Sequence, residues 1–235
     1  MTTVIATPLS QIKLSPDGAM TISGLTWKIY QALLQELGED RPTRIAYDQG
    51  ILEIRMPGEL HEIVNRLLAK IITMLAMELK IEANDFGSVT LNRESLDRGI
   101  EPDTCFYIQN AAKGQGMAGA ISESLTPDLA LEVDIASSSA SKMSLYQVIG
   151  VPEVWLYRRN ILNIQLLQAG QYGDVANSRA FPIVNAEQLN QWIEMRKTET
   201  DLTVLRDVQR FCREYAIWGN RNRPFSQALL KGDQG

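Results

Sequence analysis

Leu129-Ala130-Leu131-Glu132-Val133-Asp134-Ile135 sets two carboxylates inside a near-continuous apolar run. A run of this kind reads as a central β-strand covered on both faces. Period-two alternation puts Glu132 and Asp134 on one face, about 6.6 Å apart along the strand, while Leu131, Val133 and Ile135 point the other way. An acid in such a strand is expensive to bury, costing several kcal/mol unless it is paired or bound to a cation. Glu132 therefore calls for a partner, and the search for one organises the reading of the rest of the chain.

The neighbouring sequence offers candidates. Twenty-nine positions earlier, Pro102-Asp103 opens a second apolar stretch, Asp103 to Ile108, so that two acids can converge at adjacent strand ends. Ten positions after Glu132, Lys142 lies on a short helix expected to leave the strand, with Ser137-Ser138-Ser139 as cap choices and Gly150 at its end; Tyr146 follows one turn further on the same face. A pair of carboxylates is the hard oxygen donor set that magnesium or manganese prefers. A nearby lysine can hold a water or neutralise charge on phosphorus oxygens. The same residues also have plainer readings. Asp103 after proline suits a turn, and Lys142 suits a solvated helix face.

Further out, Leu25, Ile29, Leu33, Leu34 and Leu37 recur at helical spacing between the cap candidate Ser23 and Gly38. Arg44 to Tyr47 and Ile51 to Met56 flank Asp48-Gln49-Gly50 as a hairpin. After the Pro57-Gly58 break, Ile63, Val64, Leu67, Leu68, Ile71, Ile72, Leu75 and Leu79 trace a broad stripe along a helix of about twenty residues. His61 and Glu62 fall in its first turn. Glu59, Glu62 and Arg66 share a face there, and acids in a first turn are also explained by the helix dipole alone. Ser88 to Leu91 reads as a strand, Glu153 to Tyr157 and Ile161 to Leu167 as a hairpin over Arg158-Arg159-Asn160, and Glu187 to Tyr215 as helical. A Gly/Ala/Ser-rich stretch spans Ala111 to Ser124. The order of elements predicts an α/β (α+β) fold, a central mixed sheet flanked by helices.

Composition narrows the function. The 235 residues suggest one domain, 1–235, and the absence of an apolar run long enough for a bilayer or of a secretory pattern suggests a cytoplasmic protein without a membrane. Cys105 and Cys212 lie in unrelated contexts, which supports neither a disulfide nor a zinc site. With one histidine in the chain, His61, nucleophilic triads are excluded unless His61 is their base. The net charge of −5 argues against nucleic-acid binding by bulk electrostatics, yet the segment from Arg196 to Lys231 carries eight basic and four acidic residues. On the C-terminal helices Trp192, Ile193, Leu202, Leu205, Phe211 and Trp218 offer apolar anchors, either for packing onto the parent domain or for a homodimer.

Taken together, the run from Pro57 to His61-Glu62, then Pro102-Asp103, then Glu132 trailed by three serines, then Lys142 with Tyr146, and then Gly150-Val151-Pro152-Glu153-Val154-Trp155, resembles the Uma2 family of restriction endonucleases within the PD-(D/E)XK nuclease superfamily. The resemblance extends over about residues 20 to 185, a nuclease-like core, with 186–235 as a C-terminal helical extension. It implies a restriction-endonuclease-like fold and a metal-dependent endonuclease that hydrolyses DNA with Mg2+ or Mn2+. Asp103, Glu132 and Glu62 would hold the metal, Lys142 would complete the catalytic set, and His61, Asp134 and Tyr146 would support it. One departure stands out. The superfamily pattern expects lysine two positions after the strand acid, where this chain has Asp134, so the resemblance implies that the lysine has moved to Lys142. The alternative is a catalytically silent relative that binds nucleic acid or regulates.

Overall fold

The computed structural model of the protein describes residues 13–38, 41–114, 125–135 and 140–221. The expected Ser137-Ser138-Ser139 cap, the Trp218 side chain, Arg223 and Lys231 lie outside what is described. The elements in chain order are β1 (Ala19–Ser23), α1 (Trp27–Leu37), β2 (Arg44–Asp48), β3 (Ile51–Arg55), α2 (Glu59–Leu79), β4 (Asn84–Gly87), β5 (Leu91–Arg93), β6 (Arg98–Ile100), β7 (Thr104–Tyr107) and β8 (Leu129–Asp134). These are followed by α3 (Ala140–Ile149), β9 (Glu153–Arg158), β10 (Ile161–Gln168), β11 (Gln171–Val175), α4 (Ala186–Met195) and α5 (Asp201–Arg221).

The mixed sheet flanked by helices is present as expected, with β8 central and buried at every position. Its order is β11-β10-β9-β8-β7-β4, and β8 runs parallel to β9 while the other pairs are antiparallel. A parallel pair needs a crossover, and α3 supplies it. What the sequence reading did not separate is a second, five-stranded antiparallel sheet in the order β1-β3-β2-β6-β5. The strand expected over Ser88 to Leu91 does not form as such, since β4 ends at Gly87 and β5 begins at Leu91. β4 joins the large sheet and β5 the small one, and the residues between them are the crossing.

Local chemistry accounts for the boundaries. The cap of α1 is Thr26, whose hydroxyl accepts from the Ile29 amide, and not Ser23, which is held extended opposite Ile51 in the β1–β3 ladder. The β2–β3 hairpin turns through Gln49 and Gly50, both at positive φ (44° and 92°), the pair of angles that matches the twist of the flanking strands. The β9–β10 hairpin does the same through Arg159 and Asn160.

Three apolar clusters hold these elements together. Val64, Leu67, Leu68, Ile71, Ile72 and Leu75 of α2 pack with α4 and α5 on one face of β8, against Leu129, Leu131 and Val133. On the opposite face Leu145, Tyr146 and Ile149 of α3 meet Ala130, Val154 and Leu156, together with Ala46 and Ile100 of the small sheet. Tyr30 of α1 stacks on Tyr47 at 4.5 Å and covers the small sheet. The first of these clusters absorbs anchors that the sequence offered to a dimer. Trp192 and Ile193 are buried within the chain's own core, with Leu205 and Phe211 packed against it, while Leu202 is exposed. No helix among the described residues is long and apolar enough to cross a membrane.

Leu68 is fully buried in the largest cluster, whereas Met77 on the same helix is 70% exposed. Leu68→Ala is expected to cost about 2–5 kcal/mol in urea unfolding, and Met77→Ala less than about 0.5 kcal/mol. Equal losses would contradict this assignment of the helix faces.

Candidate active site

Register brings the two principal acids together. Thr104 pairs with Leu131 in the antiparallel β7–β8 ladder, so one step back sets Asp103 opposite Glu132 on the same side of the sheet. The Asp103 amide donates to Leu131 O at 3.2 Å and continues the ladder. The Asp103 side chain is then fixed from two directions. Its Oδ2 accepts from the Val133 amide at 2.7 Å and lies 3.0 Å from His61 Nε2. Its Oδ1 is buried and has no hydrogen-bond partner among the described residues.

Glu132 is completely buried. Oε1 accepts from Lys142 Nζ at 2.5 Å, and Oε2 accepts from the Tyr146 hydroxyl at 2.9 Å. Lys142 and Tyr146 are one helical turn apart on α3, which is why both reach one carboxylate. Lys142 is thus no solvated lysine; it is 2% exposed. From the small sheet, Arg55 at the end of β3 completes the group. Its Nη1 is 3.6 Å from Glu132 Oε1 and its Nη2 donates to Asp134 Oδ1 at 3.3 Å. Asp134, on the same face of β8 as Glu132, is therefore a partner of Arg55.

Titration behaviour splits the two opposed acids. Burial pushes the Glu132 carboxyl above its ordinary range; Lys142 opposes that rise and Asp103 adds to it. Burial also acts to raise Asp103, but the hydrogen bond from His61, the charges of Lys142 and His61 and the Val133 amide together bring it below its ordinary range. His61 moves the other way. Burial alone would lower it, and the hydrogen bond to Asp103 with the charges of Asp103, Glu132 and Glu62 outweighs burial. Burial and the neighbouring acids drive the Tyr146 phenol well above its usual value, so it remains a donor.

Glu62 is the residue that the structure does not bring in. It is 38% exposed and faces Arg44 (3.8 Å), Arg66 (3.5 Å) and His61 Nδ1 (3.6 Å). Helical phase gives the reason. His61, Asn65, Leu68 and Ile72 follow one another at intervals of four, three and four, on the buried face of α2, and Glu62 is one step off it. His61, expected only to support the site, is thus in direct contact with Asp103. Asn65 was missed altogether. Its side-chain amide donates to Asp103 O at 3.3 Å and its oxygen accepts from Thr104 Oγ1 at 3.0 Å, which docks α2 on the start of β7. A polar residue inside the stripe was the available signal. Arg55 had none, since its partners lie in another sheet. Glu153 of the Gly-Val-Pro-Glu run is structural, accepting from Trp155 Nε1 and from the Arg179 and Ala180 amides.

Above these side chains is a small pocket of about 20 Å3, enough for a water, lined by Arg44, Arg55, His61, Asp103 and Lys142. Among the described residues no group of three or more acids, histidines or cysteines converges as a metal cage. Magnesium does not require one, since it is commonly held through one or two carboxylates with water and substrate phosphate completing its shell. Asp103 Oδ1, charged, buried and without a donor, together with the facing Glu132, fits that donor chemistry.

Comparison with known proteins identifies the family. The family model described as "Uma2: Putative restriction endonuclease" matches residues 27–204, from α1 into α5. A solved structure, described as a "putative nuclease belonging to DUF820" from Anabaena variabilis ATCC 29413, is 17% identical, with a TM-score of 0.49, over 72% of this chain and 99% of the other. No protein with a curated description matches.

Removing Lys142 strands a buried carboxylate. Lys142→Met is expected to cost about 3–5 kcal/mol at pH 8, and pairing it with Glu132→Gln to recover most of that loss. Because burial raises the Glu132 pKa, acidification protonates the stranded group, so the Lys142→Met penalty should shrink towards pH 5. Urea unfolding with chelator present measures both. A penalty independent of pH, or additive in the double variant, would contradict the pairing.

Proposed function

The chain belongs to the Uma2 family, and on that premise we propose that it is a metal-dependent endonuclease hydrolysing DNA phosphodiesters. The observation that carries this reading is Asp103 Oδ1, a buried oxygen with no donor among the described residues, on a side chain that lines a pocket together with Lys142. Asp103 and Glu132 are the residues that would hold Mg2+ or Mn2+. When bound, such a cation supplies Lewis-acid polarisation of the phosphate and lowers the pKa of water.

The chain's own groups do the rest. His61 and the Val133 amide fix Asp103 through Oδ2 and leave Oδ1 without a donor among the described residues. Tyr146 fixes Glu132 through Oε2, and Lys142 Nζ sits where it can orient water or balance charge growing on the phosphorus oxygens. Arg55 offsets the negative charge of Glu132 and Asp134 from outside the reacting centre. In the reaction the water oxygen forms a bond to phosphorus as the bond to the 3′ oxygen breaks. The proton lost by water goes to solvent, and the leaving oxygen gains one. Glu62 lies at the rim, where it holds arginines.

A second reading has one observation in its favour. Both Glu132 oxygens already have donors within the chain, a closed network that a silent nucleic-acid-binding relative could keep without metal.

Purified protein incubated with plasmid and Mg2+ or Mn2+ is expected to cut. Asp103→Asn and Glu132→Gln should each reduce cutting at least about a hundredfold, and Lys142→Met by a similar factor. Manganese binding by calorimetry should vanish in Asp103→Asn. Cutting that survives Glu132→Gln would reject the site. Wild-type protein that neither cuts nor binds manganese would favour the silent reading.

A further inference from the structure

The guanidinium of Arg44 is ill matched to its surroundings. It stands at the start of β2 with its side chain 14% exposed, and its carboxylate partner is Glu62, at 3.8 Å and itself turned towards solvent. Its contacts with the Pro42 and Thr43 carbonyls are both 3.5 Å long, the limit for a hydrogen bond. Nε is buried without a partner among the described residues, as is that of Arg41, so the difference between the two arginines lies in their terminal nitrogens. Arg41, three residues earlier, is the contrast. It donates to buried Glu101 and to Gly38 O, and Glu101 in turn accepts from Thr90 and the Ile45 amide. One arginine is committed to the fold, and the other keeps donors to spare. A largely buried guanidinium with its fork uncommitted is suited to bidentate binding of an oxyanion.

Its position says which oxyanion. Arg44 lines the pocket over Asp103 and Lys142, and it also lines a neighbouring groove of about 330 Å3 that runs past Thr43, Ser88 and the ring of Phe86, with the paired Arg41 and Glu101 in its wall. Phe86 is held edge-on by Tyr107 at 5.0 Å, so this wall of the groove is anchored. The groove is of a size that accepts nucleotide-sized ligands, and Arg44 stands at its junction with the reaction pocket. Resting on the nuclease reading above, we propose that Arg44 is a positioning residue that clamps a backbone phosphate flanking the scissile one, and that the Phe86 groove carries the adjoining nucleotide. Glu62 then occupies the clamp loosely until the phosphate displaces it.

The test is binding of a fluorescent DNA duplex to the Glu132→Gln protein, followed across a salt series, alongside the same protein carrying Arg44→Gln or Arg44→Lys. Losing one phosphate contact should weaken binding about tenfold at low salt and make the slope of log affinity against log salt shallower by about 0.9 in Arg44→Gln. Arg44→Lys keeps the charge but not the fork, so the slope should persist while affinity falls. Unchanged slope and affinity in Arg44→Gln, with the parent protein binding DNA, would overturn the clamp and leave the nuclease reading standing. If thermal melting shows Arg44→Gln to be unfolded, Arg44→Lys with the parent's affinity overturns it equally. A parent protein that does not bind DNA also rejects the clamp, and plasmid cutting by the wild type then decides the nuclease reading separately.

Discussion

A carboxylate with no exposed surface, in the middle of a central strand, is the constraint around which this molecule is arranged. Glu132 cannot remain charged in β8 without compensation, and the compensation comes from two sides: Lys142 and Tyr146 from α3, and Arg55 from the small sheet. The two elements tie different parts of the chain to one spot. The parallel crossover through α3 is what places its lysine over the strand it has just left, and the second sheet is what delivers an arginine from residues far earlier in sequence. The charge cluster is therefore also a joint between the two sheets.

Asp103 solves the opposite problem. It is as buried as Glu132, yet its neighbours keep it anionic. The His61 imidazole and the Val133 amide both address Oδ2, and Asn65 fixes the backbone beneath it. The result is an asymmetric pair, one acid raised and one lowered, with one oxygen that has no donor among the described residues. Such splitting is common where buried acids do chemistry, and it also occurs in ion networks that serve structure alone. The pocket that Asp103 lines together with a lysine and arginines is the reason the chemical reading is the one proposed.

Much of this was legible from periodicity. The β8 strand, the long helix after Pro57-Gly58 and the two hairpins follow from local patterns that the fold respects, and the acids of Pro102-Asp103 and Glu132 meet because adjacent strand ends must. What could not be read is whatever depends on one sheet facing another. Arg55 carries no local signature of its partners, and the strands β1 and β6 are too short and mixed to announce a separate sheet. Glu62 was legible but misweighted. Counting back from Leu68 and Ile72 along α2 reaches Asn65 and His61 on the buried face and leaves Glu62 outside it, so the helical phase favoured the histidine.

The central claim is that Asp103 and Glu132 grip one divalent cation jointly, with Lys142 beside it. A crystal soaked in manganese and measured at a wavelength where manganese scatters anomalously addresses it directly. We expect an anomalous peak in bonding contact with Asp103 Oδ1 and a Glu132 oxygen, with Lys142 Nζ close by. A crystal that takes up no manganese there, with Lys142 and Arg55 still closed on Glu132 and Asp103 Oδ1 still bare, would contradict it.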